Sequence, residues 1–177
     1  MGAGKRDAFP PVSCAHTKGD VRERQPLPPQ DRLTATTAFF GEVPAELAGV
    51  ALGALAKARN MRPQAARRLP PDAQARILAT VLEPGEPLAQ GLLVALHLAD
   101  RRPLLGAFLD ALALPHEDGV LKEENEGAAV TTDQARTALQ ALSAFPREQV
   151  LTYLNTLWLQ DPQRWAALEA AAEEVPA

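Results

Sequence analysis

The sequence predicts an all-α fold, either an irregular bundle or a short stack of helical hairpins, with about six to seven helices. Composition gives the first reason: 34 alanines and 26 leucines, the strongest helix formers, stand against ten valines and one isoleucine. The second is that aromatic residues, which favour strands together with the β-branched ones, make up only 5% of the chain. The third is the helical spacing of the apolar residues, which total 46% and suffice for a core.

The chain divides into an N-terminal tail over residues 1–35 and a single helical domain over residues 36–177. The tail contains five prolines and few large apolar side chains. Such a segment buries too little surface to offset the entropy lost on ordering, so we expect residues 1–35 to be disordered.

Seven segments of the domain carry an apolar stripe at helical spacing, and each begins at a proline or a capping residue. They predict helices at about residues 44–58, 70–82, 87–99, 101–114, 131–144, 146–160 and 162–174. In the first helix we expect a stripe from Val43 through Leu47, Val50 and Leu55 to face the core. The third helix is apolar around nearly its whole circumference, which predicts a place at the centre of the bundle.

Capping residues mark three of the helix starts. Asp100 is expected to cap the fourth helix, and Asp161 with Pro162 to open the last one. Thr131 and Gln134 have the spacing of a capping box. Between the fourth and fifth helices, residues 115–130 are predicted to form a long exposed loop with a turn at Asp-Gly.

Charge and cysteine content limit the classes of function. Residues 37–177 carry 12 basic and 18 acidic side chains, so nucleic acid, which prefers a basic face, is not an expected partner. A single cysteine, Cys14, excludes an intrachain disulfide and is typical of a reducing compartment. No apolar run has the length of a membrane span or a secretory signal. We therefore expect a cytoplasmic protein, and the Ala-, Arg- and Pro-rich composition favours a bacterial source.

Three polar residues are candidates for chemistry. His97 and Asp100 are one helical turn apart, a spacing that suits a shared metal ion or an acid–base pair. His116 precedes Glu117 and Asp118, but this order matches neither a zinc nor a calcium motif. We favour a polar helix edge for the first pair and a solvated turn for the second group, and we predict no catalytic, metal-binding or cofactor-binding residue.

A basic cluster follows the first predicted helix. It contains Arg59, Arg62, Arg67 and Arg68. Such a cluster either touches a phosphate or an acidic partner, or is solvated surface paired with nearby carboxylates; the second interpretation is favoured.

Several apolar segments resemble a family of bacterial all-helical proteins with no assigned activity. They are Phe39-Phe40 with Val43-Pro44, Asn60-Met61-Arg62-Pro63, Phe108-Leu109-Asp110-Ala111-Leu112 with His116, Val150-Leu151-Thr152-Tyr153-Leu154, and Trp165. The resemblance covers about residues 38–170, and it implies a helical domain without carrying over a catalytic residue. Ala113 stands where the family pattern leads us to expect a helix-ending glycine.

Two main hypotheses of function follow from these features, and nucleic-acid binding through Arg62, Arg67 and Arg68 is a third, less favoured one. The first is a non-enzymatic helical module that binds an unknown protein partner or a second copy of itself. The alternative is a small-ligand-binding or catalytic bundle with an inter-helical pocket near His97, Asp100 and His116. Neither requires a cofactor.

Overall fold

The computed structural model describes residues 27–42, 45–82, 86–122 and 129–174. Within these residues the fold is an all-α bundle with one two-stranded hairpin, which confirms the predicted class. The elements are α1 (Pro29–Glu42), α2 (Ala45–Ala58), α3 (Pro63–Arg67), α4 (Pro71–Val81), α5 (Pro87–Asp100), α6 (Arg102–Ala111), β1 (His116–Glu117), β2 (Val120–Leu121), α7 (Thr132–Leu142), α8 (Arg147–Gln160) and α9 (Ala166–Glu174).

Each of the seven predicted helices is present, and α1 and α3 are two that the sequence patterns did not predict. Helix α1 begins at Pro29, so residues 29–35, which were assigned to the tail, are helical. The prolines there were taken as helix breakers, but the first turn tolerates proline because its N–H groups need no intrahelical partner. Residues 1–26 of the predicted tail lie outside the described residues.

Helix α1 is stabilised by packing one of its faces against α5. Ala35, Thr36 and Phe39 are each at most 2% exposed. The two helices run antiparallel, because the start of α1 contacts the end of α5 through Asp31 and Arg101. At the opposite ends, the Phe39 ring lies 3.1 Å from where a Cβ on Gly91 would stand.

Among the described residues, two apolar clusters form the core and meet at α5. One cluster is formed by residues of α1 to α5 and includes Leu96, and the other is formed by residues from α6 to α9 and the partly buried Leu98 of α5. This placement confirms the prediction that the most apolar helix lies at the centre of the bundle.

The α6–α7 connection contains a hairpin where a loop was expected. Strands β1 and β2 pair antiparallel, with His116 opposite Leu121. The predicted Asp-Gly turn is confirmed: Asp118 has φ 51° and Gly119 has φ 81°, as a two-residue hairpin turn requires. The strands were missed because two residues are too few for a visible alternation. Residues 123–128 of the predicted loop lie outside the described residues.

Helix ends agree with the sequence at some positions and not at others. The Thr131–Gln134 capping box is present. Asp100 is the last residue of α5 and not a cap of α6, whose N-cap is Arg101. Asp161 accepts a hydrogen bond from the Arg164 amide, 3.0 Å away, but closes a turn, and α9 begins only at residue 166. At Asp100, α5 continues to the residue where the capping pattern predicted the start of α6. After Asp161, a turn occupies the residues where the pattern predicted the start of α9.

Candidate functional site

His97, the first predicted site residue, is buried between α5 and α8 and is 2% exposed. Its Nε2 lies 2.9 Å from the Thr156 hydroxyl oxygen. That hydroxyl already donates its proton to the Thr152 carbonyl at 2.8 Å, so Nε2–H of His97 must be the donor. Burial lowers the pKa of His97 to about 3, and the charge of Arg101 lowers it too. The prediction of a polar helix edge is therefore wrong for His97, which is a neutral core residue joining two helices.

An aromatic row extends this contact through the second core cluster. The His97 ring meets the Tyr153 ring edge to face at 5.3 Å between centroids, and Tyr153 meets Phe108 in the same way. Phe108 contacts Trp165 at 5.6 Å. Because the row connects α5, α8 and α6 with the turn before α9, we assign His97 a role in packing.

Asp100, the second predicted site residue, is exposed at the end of α5 and does not share the environment of His97. The charged residue that is buried there is Arg101, 3% exposed, which forms an ion pair with Asp31 of α1. Neither the Nε nor the Nη1 atom of Arg101 has a hydrogen-bond partner among the described residues. This pair ties α1 to the end of α5.

His116, the third predicted site residue, links the hairpin to α6. Its Nδ1 accepts a hydrogen bond from the Gly119 amide at 3.2 Å. The other ring nitrogen, Nε2, therefore carries the proton and donates to an Asp110 carboxylate oxygen at 3.1 Å. Arg102 of α6 also contacts the turn, with its guanidinium 2.9 Å from the Asp118 carboxylate. The hydrogen bonds of His116 therefore hold the hairpin in place against α6.

The three residues lie in three different settings: a buried helix interface, an exposed helix end and a hairpin. Within the described ranges, no three side chains of His, Cys, Asp or Glu come together in a way that could hold a metal ion.

The basic cluster is exposed around α3. Arg62 is the N-cap of this short helix, Arg67 is its last residue, and Arg68 is its C-cap. Asp72, a nearby carboxylate, pairs with Arg76 at 3.0 Å. In the part of the chain that the structure describes, no carboxylate pairs with Arg62, Arg67 or Arg68, so their charges face solvent.

The outer face of α2 is the most prominent apolar feature of the described surface. Val50 is 59% exposed and Leu47 is 48% exposed, the two highest values among the exposed large apolar side chains. The prediction that these two residues face the core is wrong. The prediction is confirmed for Leu55, which forms the buried face of α2 together with Ala51; both are 0% exposed. Val43, the other residue of that stripe, lies outside the described residues.

Glycine completes this outer face. A Cβ built at Gly49 or Gly53 would meet nothing within 4 Å, so the helix backbone is open to solvent there. We define the α2 face as Glu46, Leu47, Gly49, Val50, Gly53 and Lys57, which are exposed, together with the partly buried Ala54 at its edge. Glycine inside a helix costs about 1 kcal/mol relative to alanine, and close approach of another backbone is one reason to keep it.

Sequence patterns missed this face because α2 contains more apolar residues than one stripe can hold. The eleven residues from Leu47 to Lys57 include apolar side chains on both sides of the helix, and periodicity alone does not say which side is buried. The two glycines, four residues apart, were a usable signal. Asp31 and Thr156, which partner the buried Arg101 and His97, gave no comparable signal.

Comparison of the chain with protein-family profiles, with curated proteins and with solved structures found no match in any of the three. The resemblance to bacterial helical proteins therefore stays a prediction. Among the helices of the described ranges, none combines the length and the apolar character needed to cross a membrane.

Proposed function

We propose that this protein is a non-enzymatic helical interaction module that binds an α-helix of a partner protein on the α2 face. The observation that carries the proposal is the exposure of Val50 and Leu47, one turn apart on a helix that buries Ala51 and Leu55 completely on its other side. Contiguous exposed apolar patches, especially those rimmed by polar residues, mark protein interaction sites.

The shape and charge of the face define the kind of partner. Gly49 and Gly53 have no side chains, so they leave a shallow track along the surface of α2. A second helix can approach closely there, because the distance between two packed helices depends on the size of the side chains at their contact. Lys57 and the exposed Arg59 stand at the C-terminal end of the track, and neither has an ion-pair partner among the described residues. The expected ligand is an amphipathic helix with small or branched apolar residues and an acidic end.

The alternative, a ligand-binding or catalytic pocket near His97, Asp100 and His116, has less support. Such a pocket needs the three side chains to line one space. His97 is enclosed between α5 and α8, and the hydrogen bonds of His116 are used within the hairpin and by Asp110. We therefore prefer the interaction module.

The test compares two identical substitutions at exposed valines. Val50→Ser removes apolar surface from the α2 face, and Val81→Ser does the same at the end of α4, where the valine is 41% exposed. The full chain and both variants serve as bait in lysate, and each captured protein is then purified and titrated against all three. We expect a helical partner that binds the wild type and the Val81 variant alike and binds the Val50 variant at least tenfold more weakly. Equal binding of all three would refute the proposal.

A further inference from the structure

We infer that the helix bound by the α2 face is α2 of a second copy of this chain, packed antiparallel across a two-fold axis. This inference rests on the proposed function and names its partner. A two-fold interface uses the same surface on both subunits, so the surface must be complementary to itself. The α2 face meets this requirement in its spacing, its shape and its charge.

The spacing is that of a two-helix seam. Glu46, Val50, Gly53 and Lys57 follow one another at intervals of four, three and four residues. Residues at these intervals line up along one side of a helix and face a partner helix, as the a and d positions of a coiled coil do. Val50 and Gly53 form the middle of this line, and both are exposed.

The shape is complementary when the second helix runs antiparallel and the axis passes between Val50 and Gly53. Val50 of each copy then lies opposite Gly53 of the other. The space in front of Gly53 is open, since a Cβ there would touch nothing within 4 Å, and it can receive a valine side chain. Leu47, 48% exposed, then lies beside the partner's Ala54 and extends the contact.

Charge selects the antiparallel direction. The same register places Glu46 of each copy beside the partner's Lys57, so the two-fold axis creates two opposite-charge contacts. A parallel pairing would place Glu46 against Glu46 and Lys57 against Lys57. Neither residue has an ion-pair partner within its own chain among the described residues, so both charges are available to a second copy.

The size of the face predicts a weak, reversible dimer. The seam spans three helical turns, and contacts of this size fall below the roughly 1,200 Å² of a standard stable interface. We expect association in the micromolar to millimolar range, where monomer and dimer exchange as the concentration changes.

The test is a charge-reversal cycle on the purified full chain, measured by sedimentation equilibrium up to about 1 mM. Glu46→Lys and Lys57→Glu each turn both attractive contacts into repulsive ones, and we expect each to raise the dissociation constant about tenfold. The double variant restores opposite charges, and we expect it to return to within about threefold of the wild type. Mixing the two single variants should give a heterodimer. Glu148→Lys is the matched control, since Glu148 is exposed in the first turn of α8 as Glu46 is in the first turn of α2.

The inference is overturned if the wild type stays monomeric over the whole range, if the double variant associates as weakly as the single ones, or if the control weakens the dimer equally. Failure here is distinguishable from failure of the proposed function. A monomeric chain that still binds a different helix through Val50 refutes the dimer and leaves the interaction module intact. A chain that does neither refutes both.

Discussion

Ala113→Gly is expected to stabilise the protein, although most substitutions by glycine in helical proteins destabilise. Ala113 has φ 55°, in the left-handed region. It ends α6 in a Schellman motif: the Ala113 amide donates to the Asp110 carbonyl, and the Leu114 amide to the Leu109 carbonyl, both at 2.9 Å. The left-handed conformation costs a residue with a Cβ about 1–2 kcal/mol, and glycine avoids this cost. Glycine also gives the unfolded chain more conformational freedom, which reduces the gain in stability by about 0.4–1 kcal/mol.

The net expectation is a gain of about 0.5–1 kcal/mol in the free energy of unfolding, or about 1–4 °C in Tm. The assay is urea denaturation followed by circular dichroism, repeated as a thermal scan. Ala79→Gly is the control, because Ala79 is exposed inside α4, where glycine should cost up to about 1 kcal/mol. The two substitutions are chemically identical and should have opposite signs. If Ala113→Gly destabilises by as much as Ala79→Gly, the strain assigned to Ala113 is wrong.

Three further predictions concern the hairpin and the buried polar residues. Gly119→Ala should lower the free energy of unfolding by about 2–3 kcal/mol, because φ is 81° and the new Cβ would lie 2.8 Å from the Leu105 Cβ; chemical denaturation measures this. Asp31→Asn should cost about 3 kcal/mol in the same assay, because it leaves the buried Arg101 charge without its carboxylate. His97, whose pKa is lowered to about 3, is neutral in the folded state and charged below about pH 6.5 in the unfolded one. Its contribution to the free energy of unfolding is complete above pH 6.5 and falls by up to about 1.4 kcal/mol per pH unit as the pH drops toward 3. Chemical denaturation at pH 7, 6 and 5 measures this loss.

Each of these three has a control. Gly41→Ala places the same methyl group in open space inside α1 and should not destabilise. Asp72→Asn removes a carboxylate from an exposed pair with Arg76 and should change stability by well under 1 kcal/mol. His97→Gln keeps a donor for Thr156 without titrating. If this variant loses stability with falling pH as steeply as the wild type, other groups cause the dependence.

The fold class and most helices could be predicted because they rest on local physics. A proline in the first helical turn, a capping box and a run of apolar residues at helical spacing act within a few residues of one another. Helix α1 could not be predicted in this way. It has two prolines at its start and a small apolar face, and its stability comes from α5, about sixty residues further along the chain.

The candidate site was harder to predict for the same reason. Which face of α2 is exposed depends on where α4 and α5 lie, and the helix itself has apolar residues on both sides. The residues that looked chemically interesting, His97 and His116, proved to have partners that bury or support them: Thr156 for one and Asp110 for the other. Arg62, Arg67 and Arg68 are exposed cations.

Photo-crosslinking in cells that express the full chain can establish whether the α2 face receives a partner helix. A photoreactive amino acid replaces Val50 in one variant and Val81 in another, and crosslinked peptides are identified by mass spectrometry. We expect a discrete crosslink from position 50 to a helical peptide, which is residues 46–57 of a second copy if the dimer is correct, and no such product from position 81. No product from position 50, or the same products from both positions, would contradict it.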